Sequence, residues 1–128
     1  MTAFYDPDAA LARVQHDIAA AQERATKAAE VQGAIAAVRG TGRSPRGEVT
    51  VEVDASGMLR DLRLTEEALR RRPGELAALI LDAARTAQRD AGARALAVAE
   101  DAWGADDVAV AHLRTEVEQR YAPEGGTR

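Results

Sequence analysis

One stretch constrains this chain more than any other. "RGEVTVEVDASGMLRDLRL", Arg46–Leu64, is the only segment with the period of a β-strand. In Glu48–Asp54, Val49, Val51 and Val53 fall on one side, and Glu48, Thr50, Glu52 and Asp54 on the other. That alternation marks an antiparallel strand with one buried face. "DASG" (Asp54–Gly57) signals a tight turn, with Asp able to hydrogen-bond the turn backbone and Gly able to take a positive φ. Met58–Leu64 is the return strand, with Leu62 and Leu64 on one face and Asp61 and Arg63 on the other. A two-stranded hairpin is marginal by itself. It is stable if a helix covers its valine–leucine face, or if it pairs edge to edge with a second copy.

The flanking segments carry helical periods. Leu11, Val14, Ile18, Ala21, Ala25, Ala28, Val31, Ile35 and Val38 recur at steps of three and four, a heptad seam with one short step before Val31. The helix begins near Asp8 and carries a single narrow stripe, so it needs a partner helix. "RGTGRSPRG" (Arg39–Gly47) breaks it with Gly40, Gly42, Pro45 and Gly47. Val38–Ser44 reads either as loop or as a short, irregular edge strand. After the hairpin, Thr65 caps a short helix that opens with Glu66 and Glu67. A second long helix runs from Pro73 to about Ala102, with Leu76, Leu79, Ile80, Ala83, Ala84, Ala87, Ala91, Ala95 and Val98 in its stripe and Gly92 as a soft spot. Ala105–Tyr121 is a third, shorter helix, and residues 122–128 are a frayed tail.

The fold class is therefore α+β: a long N-terminal helix, a small antiparallel sheet, a long C-terminal helix and a shorter terminal one. Hydrophobic residues make up 46% of the 128, yet aromatics only 3%. The core must be alanine, leucine, valine and isoleucine. Apolar burial contributes roughly 25 cal/mol per Å², and alanine offers little area. Such faces gain most from long, close contacts, which favours a second copy. Leu11, Val14, Ile18, Val49, Val51, Val53, Leu62, Leu76 and Ile80 are the expected dimer interface. There is no cysteine, so disulfides and thiolate sites are excluded. No basic segment followed by an apolar run marks a signal peptide, and no apolar run approaches the roughly 20 residues of a membrane span. A cytoplasmic protein is expected.

The catalytic inventory is thin. His16 and His112 are isolated and lack metal-ligand spacing. Ser44 and Ser56 sit in turns, where serine is expected for structural reasons. No GxSxG, HExxH or Walker-type run occurs. No enzyme, metal, cofactor or small-molecule substrate is expected. Arginine is the remaining chemistry. The net charge is −4, but residues 39–72 hold eight arginines against six acids. Arg39, Arg43 and Arg46 precede the hairpin, Arg60 and Arg63 lie on its return strand, and Arg70, Arg71 and Arg72 follow it. A guanidinium grips phosphate through a planar fork, so clustered arginines give salt-dependent DNA binding without base readout. The alternative is that they pair with Glu48, Glu52, Asp61, Glu66 and Glu67. Both readings stand at this point.

"GEVTVEVDASGMLRDLRL", followed by a short turn and "RPGELAALILDAARTAQRDA", resembles the YbaB/EbfC family of nucleoid-associated proteins, especially its actinobacterial branch. Gly47, Asp54, Gly57, Leu59 and Leu62 carry the likeness, which covers about residues 8–100. The resemblance implies an α-β-α subunit spanning residues 1–104, with 105–128 as a helical extension and tail. It also implies a homodimer in which sheets join and helices project as arms, binding double-stranded DNA with little sequence preference in the nucleoid. Some actinobacterial relatives are associated with specialised secretion systems. That suggests the alternative of a dimeric adaptor with a protein partner.

Overall fold

A computed structural model of the protein describes residues 6–121; the expected tail at 122–128 lies outside them. The chain forms α1 (Pro7–Ala36), β1 (Arg39–Arg43), β2 (Val49–Asp54), β3 (Leu59–Leu64), α2 (Glu66–Leu69), α3 (Pro73–Trp103) and α4 (Val108–Arg120). The strands make one antiparallel sheet in the order β1-β2-β3. Chain contacts divide into one unit ending at Gly33 and another beginning at Ala34.

The first unit holds most of α1. The helix has 30 residues and no buried side chain. At 1.5 Å per residue it is about 45 Å long. Leu11, Val14 and Ile18 are 56%, 52% and 53% exposed. The seam seen in the sequence is thus an apolar stripe open to solvent within one chain.

The second unit holds the sheet and its cover. Val49, Val51 and Val53 are at most 1% exposed and pack with Ala83, Ala87 and Ala91 of α3. Burying each valine stabilises the fold by roughly 1.5–3 kcal/mol. The helix cover foreseen for the hairpin is therefore supplied by the same chain. It does not extend across the whole sheet, because α3 packs on β1 and β2 and barely reaches β3. Leu64, Leu62 and Leu59 pair with Val49, Val51 and Val53, yet are 37%, 39% and 52% exposed. The register slips by one residue at Arg60, because Glu52 pairs with Asp61 while Val53 pairs with Leu59. That bulge returns Leu59 to the valine face.

"RGTGR" is a regular edge strand rather than a loop, and its glycines have a packing reason. Arg39, Thr41 and Arg43 point away from α3, while Gly40 and Gly42 are buried beneath it. A Cβ on Gly42 would overlap the carbonyl oxygen of Ala83, and one on Gly40 would overlap that of Ala87. The helix lies directly on the strand backbone.

Asp90 completes this contact. Its carboxylate accepts from the Thr41 backbone N–H at 2.9 Å and from Arg94 Nε at 3.0 Å. One outward N–H of β1 is thereby bound by a side chain of its own fold. The Thr41 N–H, ahead of Arg94, holds the Asp90 carboxyl below the usual range despite partial burial. A lowered folded pKa contributes stability that is complete above the free aspartate value of about 4 and is lost as pH falls through the folded value. We expect Tm to drop more steeply below about pH 4 in the wild type than in Asp90→Asn, whose amide oxygen accepts at every pH. Parallel Tm-against-pH curves from calorimetry would refute the assignment.

The turn between β2 and β3 forms as the sequence indicates. Asp54 Oδ1 accepts from the N–H groups of Ser56 and Met58, each at 3.0 Å, and from the Ser56 hydroxyl at 2.6 Å. Gly57 sits at φ 87°. α2 is capped by Thr65, whose hydroxyl accepts from Ala68 N. α4 packs on α3 through Val110, which is 1% exposed, and through an Arg114–Glu100 ion pair at 2.7 Å. Gly92, which looked like a weak point in the helix, is a contact site: a Cβ there would meet the Tyr121 ring at 3.0 Å.

Candidate nucleic-acid interface

The strand register fixes where the eight central arginines go. On the sheet face opposite α3, Arg39 lies across from Asp54, and Arg43, Thr50 and Arg63 form a row. Between them, Thr41, Glu52 and Asp61 form a second row. Arg39 and Arg60 belong to the end of the sheet that holds Asp54. Arg39 Nη1 donates to the carbonyl oxygens of Ala36 and Val38 at 3.1 and 2.8 Å. Arg60 reaches Asp54 at 3.9 Å. The Ser56 hydroxyl, then the backbone N–H groups of Met58 and Ser56 and the charge of Arg60, hold the Asp54 carboxyl below its ordinary range.

The opposite end is more basic. It carries Arg43 and Arg63, the β1–β2 turn with Arg46, and the α2–α3 link with Arg70, Arg71 and Arg72. The Thr65 N–H donates to the Glu48 carbonyl at 3.0 Å and ties the start of α2 to that turn. Inside the turn, Ser44 is 5% exposed, and its hydroxyl accepts from Val49 N at 3.0 Å. Arg46 is therefore presented by a braced turn.

Two of these arginines are engaged by carboxylates. Arg63 meets Asp61 at 2.9 Å, and that contact pushes its pKa further up. Arg71 meets Glu48 at 2.6 Å. Arg43, Arg46, Arg70 and Arg72 make no ion pair among the described residues. The alternative in which local acids absorb the arginines thus holds for some of them only. It accounts for Arg63 with Asp61 and Arg71 with Glu48, misses the Arg60–Asp54 contact, and leaves four cations facing water.

Glu48 departs from the sequence expectation. The alternation assigns it to the solvent face, yet it is 4% exposed. A buried carboxylate is costly unless it is paired. Here both Nε and Nη2 of Arg71 reach Glu48 Oε2, at 2.8 and 2.6 Å. The pair forms one wall of an open cleft of about 580 Å³, which Arg46 and Arg70 also line. No pattern in the sequence marks this pairing, because the two residues are 23 positions apart.

The model of the YbaB/EbfC DNA-binding family matches residues 11–105. The chain belongs to that family. The match spans most of α1, the sheet, α2 and α3, and α4 lies beyond it. DNA binding and nucleoid association are the properties of the YbaB/EbfC family. No curated protein matches the chain. Among the described residues, no helix is long and apolar enough to cross a membrane, and no group of three or more His, Asp or Glu could hold a metal ion.

Proposed function

We propose that this member of the YbaB/EbfC family is a cytoplasmic, homodimeric nucleoid protein that binds double-stranded DNA with little sequence preference. The observation that carries the reading is the set of four arginines, Arg43, Arg46, Arg70 and Arg72, that have no acidic partner at the basic end of the sheet. In a DNA-binding family, unpaired guanidiniums on strand, turn and link are suited to phosphates. No helix of the recognition type accompanies them, so base readout has no evident vehicle. Two features support a second copy. α1 exposes its apolar stripe, and β3 has no strand on its outer edge among the described residues, beside Leu59, Leu62 and Leu64. On β1, in contrast, the Thr41 N–H is already bound by Asp90.

Binding of a labelled duplex of arbitrary sequence should be steeply salt-dependent. Four contacts per protomer give a dimer about eight, for which affinity falls on the order of 10³–10⁵-fold between about 50 and 200 mM salt. Fluorescence anisotropy measures this directly. A protein that leaves the duplex unbound at the lower salt defeats the reading.

A further inference from the structure

The eight arginines are not equivalent, and the cleft at the basic end distinguishes them. It is open, about 580 Å³ in volume, and formed between the β1–β2 turn and the residues that follow α2. Arg46 comes from the turn, and Arg70 and Arg71 from the link. Arg71 is held against the buried Glu48 by Nε and Nη2, and its Nη1 has no hydrogen-bond partner among the described residues. Arg46 and Arg70 are exposed and have no ion pair among the described residues. Three guanidiniums from two segments, the turn and the link, thus line one concavity, and the fold fixes one of them. Glu67, in α2, is the other acid that lines the cleft, and no ion pair engages it among the described residues.

We propose that this cleft is the seat of a backbone phosphodiester, with Arg46 and Arg70 as the gripping pair and Arg71 as the fixed wall. The assignment rests on the DNA-binding reading and narrows it to one place. The charge balance supports it. Glu48 is neutralised by Arg71, so the space in front of that pair sees two cations and one acid. The far end of the sheet offers less: Arg60 faces Asp54, and Arg39 is directed to backbone carbonyls. Glu67 moderates the grip. Its removal should tighten binding, because a carboxylate beside a phosphate repels it.

The test uses the full chain and a labelled duplex of arbitrary sequence across a salt series, with inorganic phosphate as a second probe. Arg46→Ala/Arg70→Ala should weaken duplex binding at least tenfold at about 100 mM salt. Each lost contact flattens the logarithmic salt slope by about 0.9, so a dimer losing four should lose roughly 3.6. Arg39→Ala/Arg60→Ala should change affinity less than threefold, and Glu67→Gln should tighten it several-fold. In heteronuclear NMR, millimolar phosphate should move the Arg46 and Arg70 side-chain resonances ahead of those of Arg39 and Arg60. Neither Arg46 nor Arg70 holds up the fold, so melting temperatures should stay within a few degrees of the wild type. Equal losses from the two double variants, or no gain from Glu67→Gln, overturn the cleft while leaving DNA binding intact. A wild-type protein that binds no duplex overturns the underlying reading instead.

Discussion

Replacing Gly42 with alanine should lower the melting temperature by about 15 °C, an unusually large effect for a single added methyl group. The new Cβ would overlap the Ala83 carbonyl oxygen and come within 2.7 Å of Ala87 N. Both are backbone atoms of α3 and have no rotamer to escape into. The helix must rise or the strand must sink. Either movement loosens the alanine face from Val49, Val51 and Val53, which are the largest side chains of the core with almost no exposure. Overpacking a core commonly costs 1–3 kcal/mol, and lost valine packing adds to it. A total of about 4 kcal/mol is a large share of the 5–15 kcal/mol that holds a domain together. At roughly 4 °C per kcal/mol for a chain of this size, the shift follows. Gly74→Ala is the matched control. A Cβ there meets nothing within 4 Å, and alanine favours a helix by up to about 1 kcal/mol. The same chemical change should therefore destabilise at one site and be neutral or stabilising at the other. Thermal unfolding followed at 222 nm decides it, and a Gly42→Ala protein that melts within two or three degrees of the wild type refutes the packing argument.

Gly42 also shows why part of the fold was hidden in the sequence. The hairpin announces itself through its valine alternation and the Asp54–Gly57 turn, and both formed as read. The long helices announce themselves through apolar steps of three and four. β1 has no such signal, because "RGTGR" contains no apolar side chain. Its pattern is complementary to a different element. Gly40 and Gly42 are two residues apart on a strand, which is about 6.6 Å. Ala83, Ala87 and Ala91 are four apart on a helix, about 6 Å. The two spacings match, so an alanine ridge can lie along a glycine-faced strand, with Gly42 against the Ala83 carbonyl and Gly40 against that of Ala87. Reading the two patterns together would have identified the strand. The valine face was legible, but the width of its cover was not, since alternation cannot tell Leu62 that α3 stops short of β3. The arginine surplus was legible as a charge count. Which arginines remain unpaired was not, because that depends on burial of Glu48 against an arginine 23 positions away.

Ile18→Asp and Val51→Asp should separate two kinds of apolar surface that look alike in sequence. Val51 is 0% exposed within one chain. An aspartate there has no cationic partner in the valine–alanine core, and a buried unpaired charge is prohibitive. Val51→Asp should therefore fail to fold, with loss of both the sheet and the α3 contact. Ile18 is 53% exposed and belongs to a helix with no buried side chain. Within a single chain, aspartate at 18 displaces nothing, and the sheet with its alanine cover should melt as before. Its effect must come through a partner. If α1 of one copy lies along α1 of another, each dimer gains two charges in an apolar seam. Dissociation should then strengthen by at least a hundredfold, which is about 2.8 kcal/mol at 1.4 kcal/mol per factor of ten. Sedimentation velocity at about 10 μM should show dimer for the wild type and monomer for Ile18→Asp. DNA affinity should fall with it, because each monomer carries half the arginines and loses the gain from simultaneous engagement. An Ile18→Asp protein that sediments as the wild type does would remove Leu11, Val14 and Ile18 from the interface. The second copy would then have to be sought at the β3 edge, where Leu59, Leu62 and Leu64 remain uncovered.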